Sequence, residues 1–397
     1  MDIICKYDDC TGCQACRVAC PKTAITMKEN EKGHIYPFIN SELCIDCGKC
    51  QNVCPSLNPP TYSDVPLLTY AAHVKDKQKR LYSTSGGVSY AMSKYIIEKG
   101  GYFCGVEWTK EGAKHRVTSN IDALKDFQGS KYSHSDVGNV YMEIKKLLND
   151  GKEVVFTGTP CQCAGLRKYL GKSYSNLFVV DLICHGVPSR KFLRDCIQFI
   201  ESKHGQTVDM IRFRDKRPDQ FNTNMVYKFV NGTEDSERYT KSFFSRMFVD
   251  NYVLRDNCYR CQYSSIRRVS DITIADFWGY LPKQVKFRDF RKGISIVIIN
   301  TDKGVSFFNS ISGLLSFEKR SFRENLNRNL KSPQEKPSNW EEFWNDYLGG
   351  ANFDSLMKKY LHVQKDFKLT AKRLVKEWLS MLLPLSIFNT IHKFIEK

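Results

Sequence analysis

The chain has 397 residues, 42% of them hydrophobic, which is too long for one small core and ample for two or three ordinary domains. Its net charge of +17 is unevenly spread: six Lys and Arg face seven Asp and Glu in the first 58 residues, whereas nine face three in the last forty. Nine of the sixteen cysteines fall within the first 54 residues, a clustering that points to metal ligation in a reducing compartment and away from a disulfide-dense secreted scaffold.

The N-terminus runs into Asp8 and Asp9 without an apolar stretch, so no secretory or twin-arginine leader is expected and the location expected is cytoplasmic. Two similar blocks follow. The first spaces Cys10, Cys13, Cys16 and Cys20 as C-x2-C-x2-C-x3-C and ends in Pro21; the second repeats this with Cys44, Cys47, Cys50, Cys54 and Pro55. This is the bacterial ferredoxin run, in which three thiolates of a block hold one 4Fe-4S cube and the fourth reaches the other. One cube is therefore assigned Cys10, Cys13, Cys16 and Cys54, and the second Cys44, Cys47, Cys50 and Cys20. Structural zinc also uses cysteine pairs, but four ligands complete its tetrahedron and leave no use for three equally spaced cysteines twice over. Gly12 and Gly48 are expected to relieve crowding where the backbone passes each cube, and Cys5, outside the pattern, to be a packed or surface thiol. The module is bounded at 1–58, and the proline-rich stretch 59–68 reads as an extended linker.

Beyond it, short apolar runs alternate with helical periodicity, the pattern of an α/β sheet. Strands are predicted at 102–108, 153–156, 177–183, 271–275 and 294–299, and helices at 88–98 and 140–148, the second stopped by Gly151. The turn Ser83-Thr84-Ser85-Gly86-Gly87 opens the first helix, and free amides there suit a phosphate as well as they suit a plain cap. Cys161 and Cys184 follow buried strands at their carboxyl ends, where open sheets bind ligands, and with Cys258 and Cys261 they make a four-thiol set. Cys104 and Cys196 read instead as packed core residues. Residues 203–251 are rich in Phe, Tyr and Arg without clear period. The tail beyond 369 is basic and amphipathic and is broken by Pro384. Its apolar run is shorter than the roughly 20 residues that span a bilayer, so it is read as a helix packing on its own domain or a partner, with contact to a membrane surface as the alternative. No helix-turn-helix, RNP or zinc-finger pattern accompanies the basic charge, so no nucleic-acid partner is expected.

The body resembles the family of beta subunits of coenzyme F-420 hydrogenase/dehydrogenase. The resemblance is carried by Ser85-Gly86-Gly87-Val88, Gln128-Gly129-Ser130-Lys131-Tyr132, Ser135-Asp136-Val137-Gly138, Thr157-Gly158-Thr159-Pro160-Cys161-Gln162, Cys184-His185-Gly186-Val187-Pro188-Ser189, Cys258 with Cys261, and residues 269–279, VSDITIADFWG. It implies an α+β ferredoxin-like module followed by an α/β iron-sulfur flavoprotein body, with an N-terminal-like domain at 69–185, a C-terminal-like domain at 186–345 and a helical tail at 346–397. It further implies FAD beside a third, inner 4Fe-4S cluster, with Cys258 and Cys261 as a ligand pair and Cys161 and Cys184 completing it. Cys163 stands where the family usually has an aliphatic residue, leaving open which cysteine of that loop ligates. By the same comparison Ser85, Gly86, Gly87, Ser130 and Lys131 line the flavin, and His185 either protonates it or orients Cys184. The expected function is an oxidoreductase passing electrons among the clusters and FAD, with coenzyme F-420 or another small molecule as the two-electron substrate. The alternatives are an electron-delivery subunit serving a partner enzyme, and a flavin-dependent reductase of an anionic metabolite such as a sugar nucleotide. Partners expected are a redox protein or small acceptor, and a second copy of the chain.

Overall fold

The computed structural model describes residues 3–63, 66–218, 223–284, 287 and 289–361, with 383, 384, 387 and 390 beyond them. The tail predicted from 369 onward therefore lies almost wholly outside the described residues. Among those described, no helix is long and apolar enough to cross a membrane.

The two cysteine blocks fold alike. Gly12 and Asp46, each two places after the first cysteine of its block, have positive φ (68° and 49°), and Gln14 and Gly48, two places on, do so again (65° and 69°). These left-handed residues turn the chain between successive thiols and launch short helices, Ala15–Ala19 in one block and Lys49–Asn52 in the other. At Gly48 no protein atom lies within 4 Å of where a Cβ would sit, so its glycine serves the turn. At Gly12 a Cβ would collide with the His134 ring and stand 3.2 Å from Arg255, so the crowding there comes from the body of the protein. Strands β1 (Ile25–Glu29) and β2 (Ile35–Ile39) complete the module as an antiparallel hairpin.

Five strands follow in the first half of the body: β3 (Leu68–Val74), β4 (Tyr102–Thr109), β5 (Gly112–Thr118), β6 (Val154–Gly158) and β7 (Leu177–Leu182). Then come β8 (Val208–Asp215), β9 (Asn224–Phe229), β10 (Glu234–Arg238), β11 (Ile272–Asp276), β12 (Ser295–Ile299) and β13 (Leu315–Lys319). Eight strands join one sheet in the order β13-β3-β12-β11-β7-β6-β4-β5. Its centre, β11-β7-β6-β4, is parallel, as the apolar runs predict, while β5, β12, β3 and β13 pair antiparallel at the flanks. The sheet is therefore mixed, with β3 from the start of the body lying between β12 and β13 from its far end. Strands from both sides of residue 185 hydrogen-bond into it. The predicted helices are present as Val88–Glu98 and Val140–Asn149, and Gly151 (φ 73°) follows the second.

Helices Val88–Glu98 and Asp302–Ile311 pack an aliphatic and Phe-rich core on one face, and Val140–Asn149 with Pro160–Leu170 pack another on the opposite face. Cys13 and Ala15 of the N-terminal module belong to this second core, beside Val137 and Tyr141. The module is thus seated in the body's apolar interior, not tethered beside it. The region 203–251, aperiodic in sequence, holds a three-stranded antiparallel sheet, β10-β9-β8, and helix Phe243–Val249. Phe213, Phe243 and Phe244 pack there against Phe192, Phe343 and Trp344 from flanking helices. The rings come unevenly, three from the helix, two from β9, one from β8 and none from β10, which is why no period shows.

One buried ion pair holds the loop that follows Cys261. Arg268 (3% exposed) donates to Asp181 Oδ2 (0% exposed) at 2.9 Å and also to the carbonyls of Tyr263, Ser265 and Leu182. Removing the carboxylate leaves a guanidinium buried without its charge partner, which costs about 3–5 kcal/mol. Asp181→Ala is therefore expected to lower the urea midpoint of the protein strongly, while replacing both Asp181 and Arg268 by apolar residues recovers part of the loss.

Candidate metal centres

Two recesses open in the N-terminal module. One, of about 380 Å³, is lined by Cys20, Cys44, Cys47 and Cys50 together with Ile25 and Ile39. The other, of about 330 Å³, is lined by Cys10, Cys13, Cys16 and Cys54, and also by Cys5. The fourth cysteine of each block has crossed to the other block's site, the grouping expected from the spacing. Among the described residues no three His, Cys, Asp or Glu side chains converge as the ligands of one metal ion do; the thiols stand around recesses. Backbone amides point at the sulfurs: Ala24 N–H donates to Cys20 Sγ at 3.3 Å, Ala15 to Cys13, Arg17 to Cys16, Gln51 to Cys50, and Ser56 and Leu57 to Cys54. Such donors favour the thiolate over the thiol, which is the form that ligates iron. A 4Fe-4S cube fits this donor set at both sites.

Cys5 is nearer to this chemistry than its place outside the motif indicates. Its thiol hydrogen-bonds to both Cys10 and Cys54, which drives its own pKa far up. The same bonds bring Cys10 down to about 6, with Arg255 assisting, and Cys54 down to about 7. No sequence signal marks it, since the contact depends on how the first residues fold back over the recess.

The third set lies at the carboxyl ends of the sheet's central strands β6 and β7. Cys161 is on the first turn of helix Pro160–Leu170, whose start is fixed by a capping box of Thr159 and Gln162. Cys184 follows β7, and Cys258 lies in the single turn Asp256–Arg260 with Cys261 next after it. Cys184 is close enough to feel the charges of Cys258, Cys161 and Cys261, and Cys161 those of Cys261 and Cys258. Burial pushes Cys161 and Cys258 up to about 12, so without a cation these thiols stay protonated. Val187 N–H donates to Cys258 Sγ at 3.3 Å, and Thr159 Oγ1 is 3.2 Å from Cys161 Sγ. Cys163 turns the other way: it is fully buried in the apolar core, with its sulfur 3.8 Å from Gly158 O and 3.7 Å from Val180 O. Cys104 and Cys196 are buried in cores as expected.

This third set adjoins the N-terminal one. Cys13 and Cys161 lie close enough for their charges to interact, and one helical turn beyond Cys161 a Cβ on Gly165 would stand 3.0 Å from both Cβ and Sγ of Cys13. Arg255, Asn257, Arg260 and Gln262, flanking Cys258 and Cys261, reach to Cys10 O, Asp9 O, Asp8 and Pro55 O of the module.

The residues that the resemblance assigns to a flavin meet in part. Ser130 N–H donates to Thr84 Oγ1 at 2.8 Å, which joins the loops 83–87 and 128–131. Gly86 N–H donates to Ser295 Oγ at 3.0 Å, and a Cβ on Gly86 would collide with Ala72 O on β3. Gly87 (φ 80°) caps helix Val88–Glu98. Lys131 donates to Asp126 O and Gln128 O, each at 3.0 Å, and loss of hydration brings it down to about 7. Lys216, which no motif marks, donates to Ser85 O, Arg80 O and Lys292 O and is likewise brought to about 7 by burial. His185 turns from the thiols: its Nε2 is 3.1 Å from Phe248 O, and its ring packs edge-on against Phe248.

Together these sites define an iron-sulfur electron carrier. Residues 9–58 match the 4Fe-4S dicluster domain, and residues 151–321 match the family described as the C terminus of the beta subunit of coenzyme F420 hydrogenase/dehydrogenase. The chain thus resembles a dicluster ferredoxin module joined to a domain similar to the C terminus of those beta subunits. It is 26% identical over 319 residues to the coenzyme F420-dependent sulfite reductase of Methanocaldococcus jannaschii, covering 76% of this chain and 46% of that protein. It is 24% identical over 178 residues to a subunit of the F(420)H(2) dehydrogenase of Methanosarcina mazei, covering 41% of this chain and 49% of that one. The chain spans about half the length of these curated relatives. Among solved structures, a chain of the F420-reducing [NiFe] hydrogenase complex from Methanosarcina barkeri aligns over 74% of this chain and 91% of that one, at 18% identity and a TM-score of 0.42.

The opposite orientations of Cys161 and Cys163 make a direct test. Cys161→Ser is expected to lose about four irons per chain, the content of one cube. Cys163→Ser should keep the iron and lower thermal stability instead, because it buries a hydroxyl in an apolar core. Iron and acid-labile sulfide analysis of the two anaerobic preparations distinguishes them.

Proposed function

We propose that this chain is an iron-sulfur flavoprotein oxidoreductase, or a subunit of one, that connects one-electron carriers to a two-electron reaction. The observation that carries this reading is the approach of Cys13 to Cys161, which puts the N-terminal and inner thiol sets side by side across Gly165. Cys44, Cys47, Cys50 and Cys20 hold the outermost cube, since Cys47 is exposed to solvent and Leu43 and Ile45 beside it are exposed as well. Cys10, Cys13, Cys16 and Cys54 hold the next, and Cys161, Cys184, Cys258 and Cys261 the innermost. When bound, cubes carry single electrons and FAD holds one or two, so a flavin joins the two kinds of traffic.

The residues of the body have separate tasks in this scheme. Ser85 and Gly87, at the positive end of helix Val88–Glu98, bind phosphate oxygens through backbone amides, while Gly86, whose amide donates to Ser295 Oγ, holds the turn against the sheet. Lys131, poised near pH 7, holds or delivers a proton beside the ring. His185, tied to Phe248 O, fixes the chain after Cys184 and acts as a positioning residue. Coenzyme F420 is the two-electron substrate that both curated relatives' names support. The second reading, delivery of electrons to a partner enzyme, is favoured by the likeness to one subunit of a dehydrogenase and by the exposed apolar rim at Cys47.

Anaerobic purification is expected to give about twelve irons and one FAD per chain, four irons for each cube. Eight irons would remove the inner site, and absence of flavin would remove the two-electron site. The isolated chain should couple oxidation of reduced F420 to a one-electron dye. No turnover by a preparation with full iron and flavin would select the delivery role.

A further inference from the structure

Arg255 lies between the module and the inner site, with only 1% of its surface exposed. Its Nε donates to Cys10 O at 2.7 Å and its Nη1 to Ile35 O at 2.8 Å, and its guanidinium stacks 3.9 Å from the Tyr36 ring centroid. Nη2 is buried and has no hydrogen-bond partner. Its own backbone belongs to the inner site: Arg255 N–H donates to Val187 O, and Arg255 O accepts from Cys258 N–H. Among the described residues no carboxylate lies within ion-pairing distance of it. Arg268, buried to a similar depth, has such a partner in Asp181 at 2.9 Å.

A guanidinium cannot shed its proton, and an uncompensated buried charge is strongly unfavourable. Carbonyl oxygens and a ring face satisfy part of the fork but supply no net negative charge. The negative charge within reach is that of Cys10 on one side and Cys258 on the other. We propose that Arg255 is the fixed counter-charge shared by the Cys10 and Cys258 sites, and that it raises the reduction potentials of the two cubes they hold relative to the outer one. A cube gains one negative charge on one-electron reduction, so a buried cation beside its ligands favours the reduced form. Downhill transfer from the solvent-facing cube inward follows. This inference rests on the cluster reading given above.

The test is a potentiometric titration of the full-length protein followed by EPR, with dithionite as reductant. In Arg255→Met, the ratio of reduced to oxidised Cys10-site cube at its native midpoint is expected to fall about tenfold, equivalent to about 59 mV for a one-electron couple. The inner cube should move in the same direction, and the cube of Cys44, Cys47 and Cys50 should not move. Arg255→Lys, which keeps the charge and loses the fork, should stay near the native values. Full iron with unchanged potentials in Arg255→Met overturns the proposal, as does a matching fall in Arg255→Lys. Native protein without iron would sink the cluster reading itself. Should the Met variant fail to assemble, the native protein still decides. A fixed cation predicts a Cys10-site midpoint that does not move between about pH 6 and pH 9. A slope of about 59 mV per pH unit would mean that a proton taken up by a neighbouring group, among His34, His134, Tyr7, Tyr36, Cys5 and Asp256, supplies the compensation, and would overturn it.

Discussion

The segment from Arg255 to Gln262 holds the N-terminal module and the inner thiol set in one geometry. It carries Cys258 and Cys261, and its intervening side chains reach Asp8, Asp9, Cys10 and Pro55 of the module. The same segment is pinned from behind by Arg268, whose guanidinium is buried against Asp181 on the central strand β7. A shift of this loop moves both thiol sets together. On the proposed function the separation of these sets governs electron transfer, and it is set by side-chain hydrogen bonds to the module's carbonyls with the loop pinned by a buried ion pair, not by a flexible linker.

Burial makes the sites dependent on what they bind. Withdrawal from water drives Cys13, Cys161 and Cys258 up to about 12, so without a cation these three stay neutral thiols. Iron reverses that preference, and the amides directed at the sulfurs reinforce the reversal. Cys13 has a double role, since it also packs with Ala15, Val137 and Tyr141 in the core beneath the sheet. Filling the sites and seating the module on the body are therefore coupled.

The eight-stranded sheet brings this about. Its parallel centre ends near Cys161 and Cys184, where open sheets commonly bind ligands. Strands β3 and β12, more than two hundred residues apart, pair antiparallel and carry Ala72 and Ser295 to the back of the Ser85-Gly86-Gly87 turn. The thiol sites and the glycine turn are thereby fixed on one rigid frame.

The cysteine spacing by itself determined the N-terminal groupings, because a thiolate run of that period allows few arrangements around two cubes and the crossing of Cys20 and Cys54 follows from the repeat. Local periodicity was likewise sufficient for helices Val88–Glu98 and Val140–Asn149 and for the central strands, where burial on both faces leaves an unbroken apolar run. Tertiary structure decided the rest. Which of Cys161 and Cys163 faces the site turns on their angular separation on one helix, Cys5 meets Cys10 and Cys54 only through a fold-back, and Lys216 and Arg255 meet partners 131 and 245 positions away. Of the antiparallel flanks β12 showed as an apolar run, whereas β3, β5 and β13 and the sheet of residues 208–238 mix polar with apolar residues and left no clear pattern. Contacts between residues hundreds of positions apart are set by packing, and no local pattern of side chains records them.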